Sequence, residues 1–174
     1  MSPFNSRLLF ALPVVAAVGF ALATATAFTN TASAGPPTVV ELYQSQGCSS
    51  CPPANENILT LTDRPDLLVL SFGVIYWDRL GWKDTFASRE NTQRQYDYTN
   101  GGLKRQFVAT PQVVINGHID IVGNKRAELT RAVDGAKLPA NAPALTLSGN
   151  QLTIASAPAP SGGADVWLVR YDPR

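Results

Sequence analysis

Cys48 and Cys51 are the residues whose type and spacing could do chemistry: they are the chain's two cysteines, separated by Ser49 and Ser50. They can pair only with each other, with another molecule or with a metal. An apolar run ends at the polar turn Gln44-Ser45-Gln46-Gly47, and the pair follows where a helix begins. Helix N-termini offer unpaired N–H groups and a positive dipole end, which lower a cysteine pKa from about 8.5 to between ~3.5 and ~7.5 in such motifs. The thiolate attacks a substrate disulfide, and a thiol two residues further on resolves the mixed disulfide. On this logic Cys48 is the exposed nucleophile and Cys51 the recessed resolver.

Two blander roles compete. A structural disulfide closing so short a ring is worth only about 2 kcal/mol by loop entropy, which makes it a poor staple. A tetrahedral zinc site wants four ligands, and the chain has two Cys and one His. His118 lies at the far end of the strand opened by Pro111, roughly seven residues at ~3.3 Å each from the cysteines. No metal or cofactor is therefore expected, and redox chemistry is favoured. One feature opposes easy helix initiation: Pro52 and Pro53 carry no N–H, and Pro52 biases Cys51 away from helical geometry. A distorted first turn is expected.

The elements that must hold this pair can be read in order. Thr38 to Tyr43 is β-branched and aromatic, as a buried strand should be. Ala54, Ile58 and Leu61 recur at helical spacing up to Asp63-Arg64-Pro65, predicting about three turns. Leu67 to Ile75 is continuously apolar and suits a central parallel strand covered on both sides. Tyr76 to Asp84 forms an aromatic loop, Ser88 caps a polar helix to about Tyr98, and Asn100-Gly101-Gly102 ends it. Thr110-Pro111 opens the strand Gln112 to Ile115, Asn116-Gly117 signals a hairpin, and His118 to Val122 returns antiparallel. A helix from Lys125 to Val133 follows. The order β-α-β-α-β-β-α is that of a minimal thioredoxin fold. The fold class is thus α/β, a mixed central sheet flanked by helices, with a small C-terminal β extension.

In that order the Thr110-Pro111 loop lies against the cysteines, where a cis bond would expose its backbone to an extended peptide substrate. The alternative is a plain edge or turn proline. Glu41 could be a buried proton relay beneath the cysteines or a strand-end residue facing solvent, and the second reading is favoured. Trp77 and Trp82 could line a substrate groove, but packing within the loop insertion is the better reading. Asp78, Lys83 and Asp84 read as solvated loop charges.

Residues 1–34 read as a signal peptide: Arg7 precedes the apolar run Leu8 to Ala23, and Ala32-Ser33-Ala34 suits a signal peptidase. The run is short for a bilayer span and Pro13 interrupts it, so no membrane span is expected after cleavage. Without Arg7 the 14 basic residues fall to 13, matching the 13 acidic ones. Such neutrality suggests no nucleic-acid partner. Export implies a periplasmic or secreted location, where a disulfide can persist. Residues 35–137 form the expected thioredoxin-like domain. Residues 138–174 form a β-rich extension: a hairpin around Ser148-Gly149-Asn150, a Pro/Ala/Gly/Ser linker, and a strand Asp165 to Tyr171 after which the chain stops as if truncated.

With these residues laid out, the sequence resembles a family of secreted, thioredoxin-like bacterial proteins without an assigned biochemical function. The matching stretches are Val39 to Leu42, Ser45 to Ala54, Tyr76-Trp77-Asp78, Leu80 to Asp84, Phe86-Ala87-Ser88 and Thr110 to Val114. The resemblance implies a thioredoxin-like fold and a C-terminal β extension longer than this chain has. Relatives tend to carry polar residues before the Trp-Asp pair. Here Gly73 and Ile75 stand there, which puts a second catalytic or ligand group in doubt.

The expected function is an exported thiol–disulfide oxidoreductase acting on protein or peptide thiols together with a redox partner. Cys48 attacks, Cys51 resolves, and Thr110 and Pro111 align the substrate. The competing class is a binding protein on the same scaffold, either a copper(I) carrier using two thiolates or an adaptor that docks a partner.

Overall fold

The computed structural model describes residues 36–103, 105–138 and 142–158, together with 163, 166 and 170. The expected signal peptide lies outside the described residues, as do most positions of the expected strand Asp165 to Tyr171. Among the described residues, no helix is long and apolar enough to cross a membrane.

The β-branched and aromatic run becomes β1, Thr38–Gln44. It is the middle strand of a mixed five-stranded sheet flanked by helices, and every other element is placed by reference to it. After α1 (Pro52–Leu59) the chain returns as β2 (Leu67–Val74), parallel to β1 from Thr38 opposite Leu67 to Gln44 opposite Gly73. A 3₁₀ turn, Ile75–Leu80, leads to the two-residue β3 (Ala87–Ser88) and then to α2 (Arg89–Asn100). β4 (Gln112–Ile115) lies antiparallel on the other side of β1, and β5 (Ile119–Ile121) pairs with β4. The strand order is β3-β2-β1-β4-β5, and α3 (Arg126–Gly135) follows. This arrangement is compatible with the expected thioredoxin-like order.

Alternation along β1 sorts its side chains between two layers. Val40 and Leu42 join Ala54 and Ile58 of α1, Val113 and Ile115 of β4, and Leu129 and Val133 of α3 in one core. Tyr43 packs with Val74 and Val114 on the opposite face, against Phe72 and against Tyr98 of α2. Full burial of a side chain such as Leu42 or Leu129 contributes roughly 1.5–3 kcal/mol.

Three elements differ from the sequence reading. α1 ends after two turns, because the Thr60 and Thr62 hydroxyls donate back to the Asn57 and Leu59 carbonyls and the chain turns away. Leu61 remains buried from the turn that follows. β2 is not covered on both sides along its length: Ser71 is exposed. The Asn116-Gly117 turn has positive φ at both residues, as expected, but Ile115 faces Ile119, so the connection has three residues.

Ser88 caps α2 as read, its Oγ accepting from Asn91 N at 3.0 Å. The β extension forms a hairpin of β6 (Leu145–Ser148) and β7 (Gln151–Ile154), turning at Gly149 with φ +57. Its register sets Leu145 opposite Ile154 and Leu147 opposite Leu152, one exposed apolar face.

Candidate functional site

Cys48 and Cys51 form a disulfide, with Cα atoms 5.5 Å apart, in the turn between β1 and α1. The turn is built from backbone bonds: Cys48 N donates to Ser45 O at 3.0 Å, and Cys51 N to Cys48 O at 3.2 Å. Ser45 is buried, and its Oγ accepts from Gly47 N at 3.1 Å. Helix α1 begins at Pro52, with Cys51 as the N-cap in right-handed helical geometry. Ala54 N and Asn55 N both donate to the Cys51 carbonyl. The helix start therefore belongs to Cys51, and Cys48 sits a turn before it. The pair sits where a helix begins, as expected, and the two prolines at the first two helical positions set that start at Pro52, which leaves Cys51 closer to it than Cys48.

The expected contrast between an exposed and a recessed cysteine is corrected. Cys48 is 3% exposed and Cys51 1%. Ser50, itself exposed, stands over Cys48: its Oγ is 3.5 Å from Cys48 Sγ and donates to the Thr110 carbonyl at 3.4 Å. Thr110-Pro111 is cis, and Pro111 is buried at the entry to β4. The structure thus brings Thr110 and Pro111 together with the cysteines through Ser50.

The aromatic insertion straps both loops. Trp77 Nε1 donates to Thr110 Oγ1 at 2.7 Å, and its Cβ lies so close to Gly47 that a Cβ there would be 3.2 Å away. Trp82 Nε1 donates to Gln46 Oε1 at 2.9 Å, while the residue is 63% exposed. Trp82 is thus not packed into the insertion, contrary to the sequence reading. Asp84 is not a solvated charge either: it is 2% exposed, accepting from Gln46 N at 2.8 Å and from Phe86 N at 2.9 Å. Asp78 Oδ1 accepts from Asp84 N, and Lys83 is exposed as expected.

A cavity of about 420 Å³ adjoins this site, lined by Tyr76, Trp77, Arg79, Tyr96, Val108 and Thr110 among others. Burial pushes the Tyr76 phenol above its ordinary pKa, partly offset by hydrogen bonds with Gln95 and Thr110. A larger cavity, about 510 Å³, runs along α2 past Arg89 and Gln93. Neither cavity is lined by a cysteine; the smaller one reaches the site through Trp77 and Thr110.

Glu41 is not brought to the cysteines. It is 2% exposed, which corrects the solvent-facing reading, and its carboxylate is turned to the α2 face of the sheet. Arg94 donates to it through Nε at 2.9 Å and Nη2 at 2.6 Å, Tyr43 at 2.8 Å and Tyr98 at 3.0 Å. Burial first, and the Glu41 charge second, push both tyrosine phenols well above their usual range. Hydrogen bonding to Glu41 holds Arg94 firmly protonated. His118 is exposed in the β4–β5 turn, with Nδ1 2.9 Å from Asn116 O.

A family model described as a protein of unknown function, DUF1223, matches residues 39–174. The chain belongs to the DUF1223 family. A crystal structure of an Agrobacterium tumefaciens protein, solved as a structural genomics target, is similar at 38% identity with a TM-score of 0.57. The match covers 69% of this chain and 56% of that one, so this chain spans just over half of that protein's length. No curated protein matches this chain.

Within this DUF1223 chain, Gly73 has a steric reason to lack a side chain. A Cβ there would lie 2.8 Å from Phe86 O and 2.9 Å from Ala87 N, the segment that pairs beside it as β3 with Ala87 opposite Gly73. Sequence reasoning missed Ser45, Ser50 and Asp84 as builders of the site. Ser45-Gln46-Gly47 carries a weak signal, a hydroxyl two residues before a turn glycine. The Asp84 contact joins segments 38 positions apart, and no local pattern reveals it.

Proposed function

We propose that the chain is an exported thiol–disulfide oxidoreductase whose redox centre is the Cys48–Cys51 pair on a thioredoxin-like scaffold. One observation carries this reading: the disulfide lies between the end of β1 and the start of α1 and is joined by Ser50 to Thr110 at the entry to β4. A dithiol polypeptide is the substrate class. Its first thiolate attacks Cys48 Sγ, the Cys48–Cys51 bond breaks, and Cys51 leaves as a thiolate that takes up a proton. The second substrate thiolate then attacks the substrate sulfur of the mixed disulfide and expels Cys48. Two electrons pass to the protein, and the substrate gains a disulfide. With reduced protein and a disulfide substrate the same steps run backwards, Cys48 attacking and Cys51 resolving. Thr110 and Pro111 form the wall along which the substrate chain lies. Glu41 has no part in proton transfer on this reading, since its carboxylate is committed to Arg94 and two tyrosines.

Burial of both cysteines favours a second reading, in which the disulfide fixes the 45–51 loop and the scaffold binds a partner without turnover. Insulin reduction and refolding assays on wild type and Cys48→Ser separate the two. Turnover lost in Cys48→Ser, with a mixed disulfide trapped by Cys51→Ser, supports the oxidoreductase. Equal behaviour of wild type and Cys48→Ser, with no adduct, supports the binding protein.

A further inference from the structure

The donors that usually stabilise a thiolate at a helix start are missing here. Pro52 and Pro53 have no N–H, and the next two, Ala54 N and Asn55 N, are both spent on the Cys51 carbonyl at 3.0 and 3.1 Å. The start of α1 thus offers Cys48 little, and the side-chain donor beside its sulfur is Ser50 Oγ, 3.5 Å away. That hydroxyl has one proton and two acceptors within reach. In the disulfide the sulfur is a weak acceptor, so the proton goes to the Thr110 carbonyl. A thiolate is a charged acceptor, and hydrogen bonds to charged groups are roughly twice as strong as neutral ones. Once the disulfide opens, the balance between the two acceptors reverses.

We infer that Ser50 is a redox-linked positioning residue: its hydroxyl caps the Thr110 carbonyl in the oxidised protein and turns to the Cys48 thiolate when the disulfide is reduced, freeing that carbonyl. This rests on the reading that the disulfide cycles, and it adds a consequence. The freed Thr110 carbonyl accepts a backbone N–H from a polypeptide lying beside it, so reduced protein holds an extended disulfide-bearing substrate better than oxidised protein does. The single movement is a hydroxyl rotation on an exposed serine, which needs no rearrangement of the buried loop.

The test uses the purified protein reduced with dithiothreitol, whose two thiols close to a ring disulfide as two electrons and two protons pass to Cys48 and Cys51. The Cys48 pKa is read from thiolate absorbance against pH in wild type, Ser50→Ala and Ser50→Thr. The Asp84 carboxylate tied to this loop and the Asp78 carboxylate behind it are the same in all three. Ser50→Ala should raise the pKa by about one unit, roughly a tenfold loss of thiolate at a given pH, and Ser50→Thr should restore it. The Thr110 carbonyl carbon resonance should move on reduction in wild type and stay near its reduced position in both states of Ser50→Ala. An unchanged pKa in Ser50→Ala overturns the inference, as does an equal carbonyl shift in the two proteins. Substrate turnover is scored separately. A pKa shift without turnover leaves the Ser50 role standing and removes the oxidoreductase, whereas turnover with an unmoved pKa does the reverse.

Discussion

Arg94 grips the Glu41 carboxylate with two hydrogen bonds, Nε to Oε2 and Nη2 to Oε1, on the face of the sheet away from the α1 and α3 core. The pair is a buried ion pair, with side chains 19% and 3% exposed. Removing one partner leaves a desolvated charge, which costs ~3–5 kcal/mol in such settings. Arg94→Leu should therefore lower unfolding free energy by about 3 kcal/mol in urea titration. The pKa of Cys48 should stay where it is in the folded protein. A Cys48 pKa that follows the loss of Arg94 would return Glu41 to the cysteines' chemistry.

Alkaline pH should act on the same cluster. Tyr43 and Tyr98 have folded pKa values above their ordinary one, by burial and then by the Glu41 charge. Unfolded tyrosines ionise near pH 10 while these stay protonated, so the unfolded state binds fewer protons and stability falls as pH rises above about 10. Below that pH their contribution is fully present. Tyr98→Phe should flatten the decline between pH 10 and 12 in chemical denaturation, by up to one proton in the pH slope. An identical slope in the variant would mean that Tyr98 already ionises at its ordinary pKa in the native protein.

Trp77 joins the two loops that flank the disulfide, by its Nε1 bond to Thr110 Oγ1 and its contact with Gly47. Trp77→Phe keeps a ring and removes the bond, worth about 1 kcal/mol and hence roughly fivefold in any opening it restrains. Reduction of the oxidised protein by dithiothreitol should quicken by about that factor, measured by stopped-flow thiol release. No change in rate would show that the Trp77 bond does not restrain access to the buried sulfurs.

Sequence alone revealed those features whose cause is local. Ser88 at the start of α2, the Asn116-Gly117 turn, and the β-branched, aromatic run that becomes β1 each act within a few residues. Glu41 could not be placed, because its partner Arg94 is 53 positions away. Nor could the covering of Cys48, which depends on Ser50 meeting Thr110 across 60 positions and on Trp77 meeting Thr110 across 33. Pro52 and Pro53 announced an abnormal helix start. Where that start would fall was decided by the turn bonds of the Ser45–Cys51 loop, which need the folded backbone.

Asp84 is the anchor of the aromatic insertion. Its carboxylate takes two backbone N–H groups, from Gln46 and Phe86, in a nearly closed site. Asp84→Ala strands both donors, and each buried unsatisfied group costs ~1–3 kcal/mol. Thermal denaturation should show a loss of about 2 kcal/mol. Asp84→Asn, which keeps one acceptor oxygen, should lose less. Equal losses would locate the contribution in the charge and not in the two bonds.

Two glycines separate backbone strain from crowding. Gly81 has φ +100 with nothing within 4 Å of a built Cβ, whereas Gly123 has φ +78 and its Cβ would meet Val113 Cγ2 at 2.4 Å. Gly81→Ala should therefore cost only the left-handed conformation, about 1–2 kcal/mol. Gly123→Ala adds a collision with a core valine and displaces the loop whose carbonyl accepts from Asn57 Nδ2 at 2.9 Å. Overpacking of this kind costs a further ~1–3 kcal/mol. In parallel urea titrations Gly123→Ala should be the less stable by at least 1 kcal/mol, about the lower end of that range. Val113→Ala, introduced into Gly123→Ala, should recover part of the difference by vacating the space, although it costs stability on its own. A double variant whose losses merely add would place the penalty of Gly123→Ala in its φ alone.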